Sequence, residues 1–156
     1  MLRSNQLGMG AFCVAAFIAA VCPRPACATL GEAEVSVQTD VAQLQASIKS
    51  SEERGLYRVH EIQLPSGTVL REFVASDGNV FAVAWHGPFM PNLRQAMGKY
   101  FDSYVAAPRT AMSDRKHVQI SLPELVVQSS GHTRAFAGRA YLPAAIPQGV
   151  NLGDLH

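Results

Sequence analysis

Two short turns decide most of what this chain can become. Pro65-Ser66-Gly67 and Asp77-Gly78-Asn79 separate three runs, 56–64, 68–75 and 80–86, that are rich in Val, Tyr, Phe and Thr. Each turn carries a glycine that can take a positive φ, and each run carries the β-branched and aromatic residues that suit a pleated strand. The pattern predicts a three-stranded antiparallel meander. In its third strand, alternation puts Phe81, Val83 and Trp85 on one face and Val80, Ala82, Ala84 and His86 on the other. In its second, Val69, Arg71 and Phe73 alternate with Leu70, Glu72 and Val74. Neither face of that strand is purely polar, so both faces should be covered in part.

On either side of the meander the period changes. Val37, Val41, Leu44 and Ile48 fall four, three and four apart, which predicts a helix over 37–53 with Ser36 as N-cap and a stop near Gly55. Gly87-Pro88 breaks the sheet. Beyond it, Leu93, Met97, Tyr100/Phe101 and Tyr104/Val105 recur at helical spacing, predicting a second helix over 91–105 with Pro91 in its first turn. A loop follows over 106–116. Strands are expected at 118–122, 125–128 and 133–142, the last two joined through Ser129-Ser130-Gly131-His132 with Gly131 in the turn. The tail from about 143 holds Pro143, Pro147, Gly149 and Gly153 and reads as irregular. The expected fold class is α+β, a mostly antiparallel sheet (three-stranded meander plus C-terminal hairpin) packed with two helices.

The first 28 residues read as something other than structure. Arg3 begins a short positive region, an apolar stretch runs from Leu7 to Cys22, and Ala26-Cys27-Ala28 places small residues where a signal peptidase reads them. This predicts a cleavable secretory signal peptide over 1–28, cut between Ala28 and Thr29, ahead of a single domain over 29–156. The apolar stretch is shorter than the ~20 residues of a spanning helix, and Pro23 and Pro25 close it, so no transmembrane segment is expected in the mature chain. Cys13, Cys22 and Cys27 are the three cysteines, so the mature domain has no disulfide and must rest on its core. Of 13 Lys and Arg and 12 Asp and Glu, only Arg3 and Arg24 precede the cut. The remainder is nearly balanced, with no basic cluster of the kind a nucleic-acid groove requires.

No assembled catalytic motif is present. The stretch "SSGHTRAFAGRAYLP" brings Ser130 and His132 close in sequence, but a turn supplies neither the orienting acid nor the oxyanion hole of a triad. No G-x-S-x-G elbow occurs anywhere. Arg134 and Arg139 alternate to opposite strand faces about 16 Å apart, so without a bulge they cannot both grip one small anion. His60, His86, His117, His132 and His156 show no metal-ligand spacing. Catalytic residues, metal ligands and cofactors are therefore all expected to be absent.

The blocks "YRVHEIQLPSGTVLREFVASDGNVFAVAWHGPFMPNLRQAMGKYF" and "SSGHTRAFAGRAYLP" resemble a family of exported bacterial proteins, the domain of unknown function 2844. The likeness runs from about Leu30 to Pro147. It implies an exported single-domain protein of a Gram-negative bacterium and brings no activity or site residue with it. The residues themselves point first to a non-enzymatic periplasmic or secreted accessory module that binds an envelope protein or component. Trp85, His86, His132 and Arg134 form its candidate contact surface. A second reading is a small-ligand binder or enzyme with a pocket between the sheet and the second helix, lined by Tyr100, Tyr104 and Arg71. A third is a structural envelope component.

Overall fold

The structure, a computed structural model, describes residues 30–34, 41, 45–108 and 117–156. The signal-peptide reading, with Ala26, Ala28 and Thr29, lies outside these residues, as does most of the expected 106–116 loop. Seven strands form one antiparallel sheet: β1 (Ser47–Glu53), β2 (Tyr57–Gln63), β3 (Val69–Ala75), β4 (Val80–Gly87), β5 (His117–Ser121), β6 (Val126–His132) and β7 (Ala135–Tyr141). Their order is β1-β2-β3-β4-β7-β6-β5. The chain thus makes a four-stranded meander, crosses over, and returns as a three-stranded meander whose last strand pairs with β4.

The predicted meander of three strands is real, and its turns lie where the glycines put them: Gly67 has φ 86° and Gly78 φ 81°. Four expectations are corrected. First, residues 47–53 are strand β1 and not the end of a 37–53 helix; residues 35–40 and 42–44 are outside the described set. β1 is an edge strand exposed on both faces except at Ser50. It buries too little to show a period of two, and its conformation comes from pairing its main chain with β2. Second, the sheet has seven strands rather than three plus a hairpin, and among the described residues the named helices form one segment rather than two separate helices. That segment comprises α1 (Leu93–Met97), a 3-10 turn (Gly98–Tyr100) and α2 (Phe101–Ala106). Asn92, not Pro91, starts it: its side chain accepts from the Gln95 N–H at 3.3 Å.

Third, a bulge splits the faces of β4. Phe73 pairs with Ala82 and Val74 with Val80, leaving Phe81 as the extra residue. Val80, Val83 and Trp85 therefore face the helical side, while Phe81, Ala82 and Ala84 face the other. Fourth, the last hairpin turns at Thr133-Arg134, two residues beyond Gly131, and Arg134 itself takes φ 62°. Gly131 sits inside β6 opposite Phe136. A Cβ there would meet the Phe136 ring at 2.6 Å, so the glycine makes room for the ring.

Both faces of the sheet are covered. On one, the helical segment packs Ala96 and Met97 against Leu30, Ile62, Leu70, Val83, Trp85, Val127 and Ala140. The same face buries Glu72 at 1 % exposure, opposite His60 and Val83 on the neighbouring strands. On the other, Tyr57, Phe73 and Phe81 form an aromatic triangle with centroids 5.9, 6.0 and 6.3 Å apart. Among the described residues no helix covers this second face. The tail does, through two 3-10 turns (Pro143–Ala145 and Leu152–Asp154) and the fully buried Leu155.

The N-terminal stretch 30–34 is stitched to the turn between β3 and β4. Gly31 N–H donates to Val80 O at 2.7 Å and Glu34 N–H to Gly78 O at 2.8 Å. Glu34 Oε1 then accepts from Arg58 at 2.5 Å and lies 2.8 Å from His60 Nε2. The Arg58 hydrogen bond holds the Glu34 carboxyl below the ordinary glutamate range; partial burial opposes it, and His60 adds to it. A lowered carboxyl pKa contributes stability that is complete above the unfolded value of about 4.3 and drains away as pH falls through the folded value. Glu34→Gln is expected to lose up to about 1 kcal/mol at pH 7, and the loss should be smaller at about pH 3, below the unfolded value. Denaturant melts at both pH values check this, and an equal gap at both would refute it.

Candidate functional site

The tail covers only part of its face. Beyond His156 the sheet is open as a groove of about 920 Å³, within the range of ligand sites. The register builds it from two cross-strand rows. One row reads Arg71, Ala84, Arg139, Gln128, Gln119 across β3, β4, β7, β6 and β5. The next, two residues along, reads His86, Ala137, Ser130, His117. At ~4.8 Å per strand, five strands give a width of about 19 Å. Between the rows lie Trp85, Gly138, Ser129 and Val118, whose side chains belong to the opposite face, so they offer main chain to the floor.

Two arginines join the groove to the tail. Arg71 pairs with Glu61 at 2.9 Å and donates to the main-chain oxygen of His156 at 2.5 Å. Arg139 donates through Nε to Gln128 Oε1 at 2.8 Å and through a terminal nitrogen to the Leu152 carbonyl. These bonds fix both guanidiniums before any ligand arrives. Arg71 is neutralised by its partner, whereas Arg139 has no carboxylate partner among the described residues. Among the described residues, no Asp or Glu side chain lines the groove. The side chains of His86 and Ser130 make no hydrogen bond to described residues. The arrangement can bind a polar, anionic ligand through several donors.

A family model described as Protein of unknown function (DUF2844) matches residues 26–155. The chain belongs to that family. No curated protein and no solved structure matches it significantly. The DUF2844 match extends through the tail to Leu155, so the segment that walls the groove is part of the family's domain.

In this DUF2844 chain the four residues singled out from the sequence separate. Trp85 is 2 % exposed, with its ring on the helical side, so it is a core residue and gives the groove only backbone. His86 is exposed and lines the groove. His132 ends β6 and Arg134 occupies the hairpin turn; both are exposed and outside the lining. The expected pocket between sheet and second helix is also corrected. Tyr100 and Tyr104 pack on the helical side, where Met97 and Leu30 fill the space, while Arg71 lies on the opposite face. Arg139, Gln128, Ser130, His117 and Gln119 were not selected from the sequence. Alternation along 133–142 does place Arg139 apart from Arg134, but only the β4–β7 pairing shows what Arg139 faces. Among the described residues, no group of three or more His, Cys, Asp or Glu could hold a metal ion, and no helix is long and apolar enough to cross a membrane.

Proposed function

We propose that this protein is an exported, non-enzymatic binding module that takes an anionic envelope component into the groove beside its C-terminal tail. The leader-like first 28 residues support export. The observation that carries the binding reading is the lining itself: two prefixed arginines and three histidines (His86, His117 and His156) on a small-residue floor, with no acidic side chain among the described lining residues. Prefixed donors lose little freedom on binding, and a lining of donors around Arg139, which has no carboxylate partner among the described residues, favours a ligand of negative charge.

Ala137 is exposed on the groove floor, so Ala137→Trp fills the groove without entering the core. Tagged full chain, wild type and Ala137→Trp, would be cross-linked in its own cell envelope and the captured species read by mass spectrometry. One reproducible species held by the wild type and lost by the filled variant, with unchanged circular dichroism, is the expected result. Capture that is indifferent to Ala137→Trp would place the contact elsewhere and end the reading.

A further inference from the structure

Within the groove, one position has donors converging from three strands. Ala137 on β7 is flanked across the sheet by His86 on β4 and Ser130 on β6. Two residues further along β7, on the same face, stands Arg139. Direct cross-strand neighbours have Cβ atoms about 5 Å apart, and next-but-one residues on a strand are about 7 Å apart. Three polar side chains therefore ring a single methyl group. His117 stands behind Ser130 on β5.

The chemistry of that ring is one-sided. Arg139 is held by Gln128 and by the Leu152 carbonyl through two of its nitrogens, which leaves its other terminal nitrogen unclaimed by described residues. The imidazole of His86 and the hydroxyl of Ser130 likewise have no hydrogen-bond partner there. Three donors stand around a shallow hole with no acidic side chain in its lining among the described residues. A planar carboxylate offers two oxygens. A phosphoryl group offers three, one for each wall, and a guanidinium is the side chain best suited to it.

Building on the binding reading above, we propose that the groove contains a phosphoryl-group seat over Ala137, formed by Arg139, His86 and Ser130. The ligand is then a phosphate ester whose organic part lies along the remaining groove. Arg71, already paired with Glu61, serves to anchor the tail that walls the seat.

The test is a titration of the labelled full chain, followed by amide NMR, with phenyl phosphate, benzoate and benzyl alcohol in turn. Phenyl phosphate is expected to shift the amides of Ala137, Ser130 and His86 and to bind about tenfold or more tighter than benzoate. Arg139→Gln should weaken it by a similar factor. Because Arg139 also holds the tail, His86→Gln and Ser130→Ala provide variants without a structural bond to lose, each expected to weaken phenyl phosphate several-fold. Equal binding of phenyl phosphate and benzoate would overturn the phosphoryl assignment. Equal binding of all three probes at the same amides would overturn the anion seat but leave the groove as a binding site. If no probe shifts these amides, the seat is refuted. Capture that is still blocked by Ala137→Trp would then keep the wider reading, and unblocked capture would remove both.

Discussion

Replacing Gly138 with alanine should cost about 3 kcal/mol or prevent folding altogether. Gly138 lies at the centre of the sheet, where β7 pairs with both β4 and β6. A Cβ there would stand 2.4 Å from Trp85 Cζ2 and 2.8 Å from the Gln128 carbonyl oxygen. Neither neighbour yields easily: Trp85 is 2 % exposed in the helix-side core, and the carbonyl is main chain in β6. Trp85→Phe in the same chain removes the crowding ring and an indole N–H that has no partner among the described residues. The double variant should therefore recover part of the loss, with the Gln128 carbonyl accounting for what remains. Urea melts of the two single variants and the double variant form the cycle. A Gly138→Ala protein within about 0.5 kcal/mol of wild type would show that the sheet can open at this point.

The second large effect is at the other end of the chain. Leu155 is fully buried among Tyr57, Phe73, Phe81 and Val126, on the face opposite the helical segment. Leu155→Ala is expected to lose about 2–4 kcal/mol and to lower Tm by roughly 10 °C. Leu152, one turn earlier and 38 % exposed, is the control. Its carbonyl would still accept from Arg139, so Leu152→Ala should stay within about 0.5 kcal/mol of wild type. Calorimetry of the two variants decides the matter, and similar melting temperatures would mean that the tail is not a structural cover.

The parts of the fold legible in the sequence are those joined by short-range chemistry. The turns at Gly67 and Gly78 announce β2, β3 and β4, and the apolar repeat through Leu93, Met97 and Phe101 announces the helical segment. β1 was misread because Ser47–Glu53 carries one large apolar residue, Ile48, which happens to continue a spacing of four from Leu44. An edge strand of this kind is held by main-chain hydrogen bonds, and those leave no mark on side-chain pattern. Phe81 changed faces because a bulge inserts one residue without altering composition. The groove was illegible for a related reason. His86 and Arg139 were each visible as polar residues on a strand, but their meeting depends on β4 pairing with β7, and nothing local to either strand encodes it. The tail looks irregular in sequence, as it is, yet its cover of the second face depends on the helical segment packing on the first.

That β4–β7 pairing also bears on how the chain reaches this structure. Every other strand pair is joined by a connection of only a few residues, whereas β4 and β7 bring together positions roughly fifty apart. The two meanders are therefore local and quick to form, and their union carries the larger loop-closure entropy. Until they join, β4 and β7 each present an unpaired edge, and that of β4, from Val80 to Trp85, is entirely apolar. The half-assembled species is the one most exposed to pairing with another chain. Substitutions along this seam, at Gly138 or Ala84, should slow folding as well as weaken the product, and those in the tail should mainly hasten unfolding.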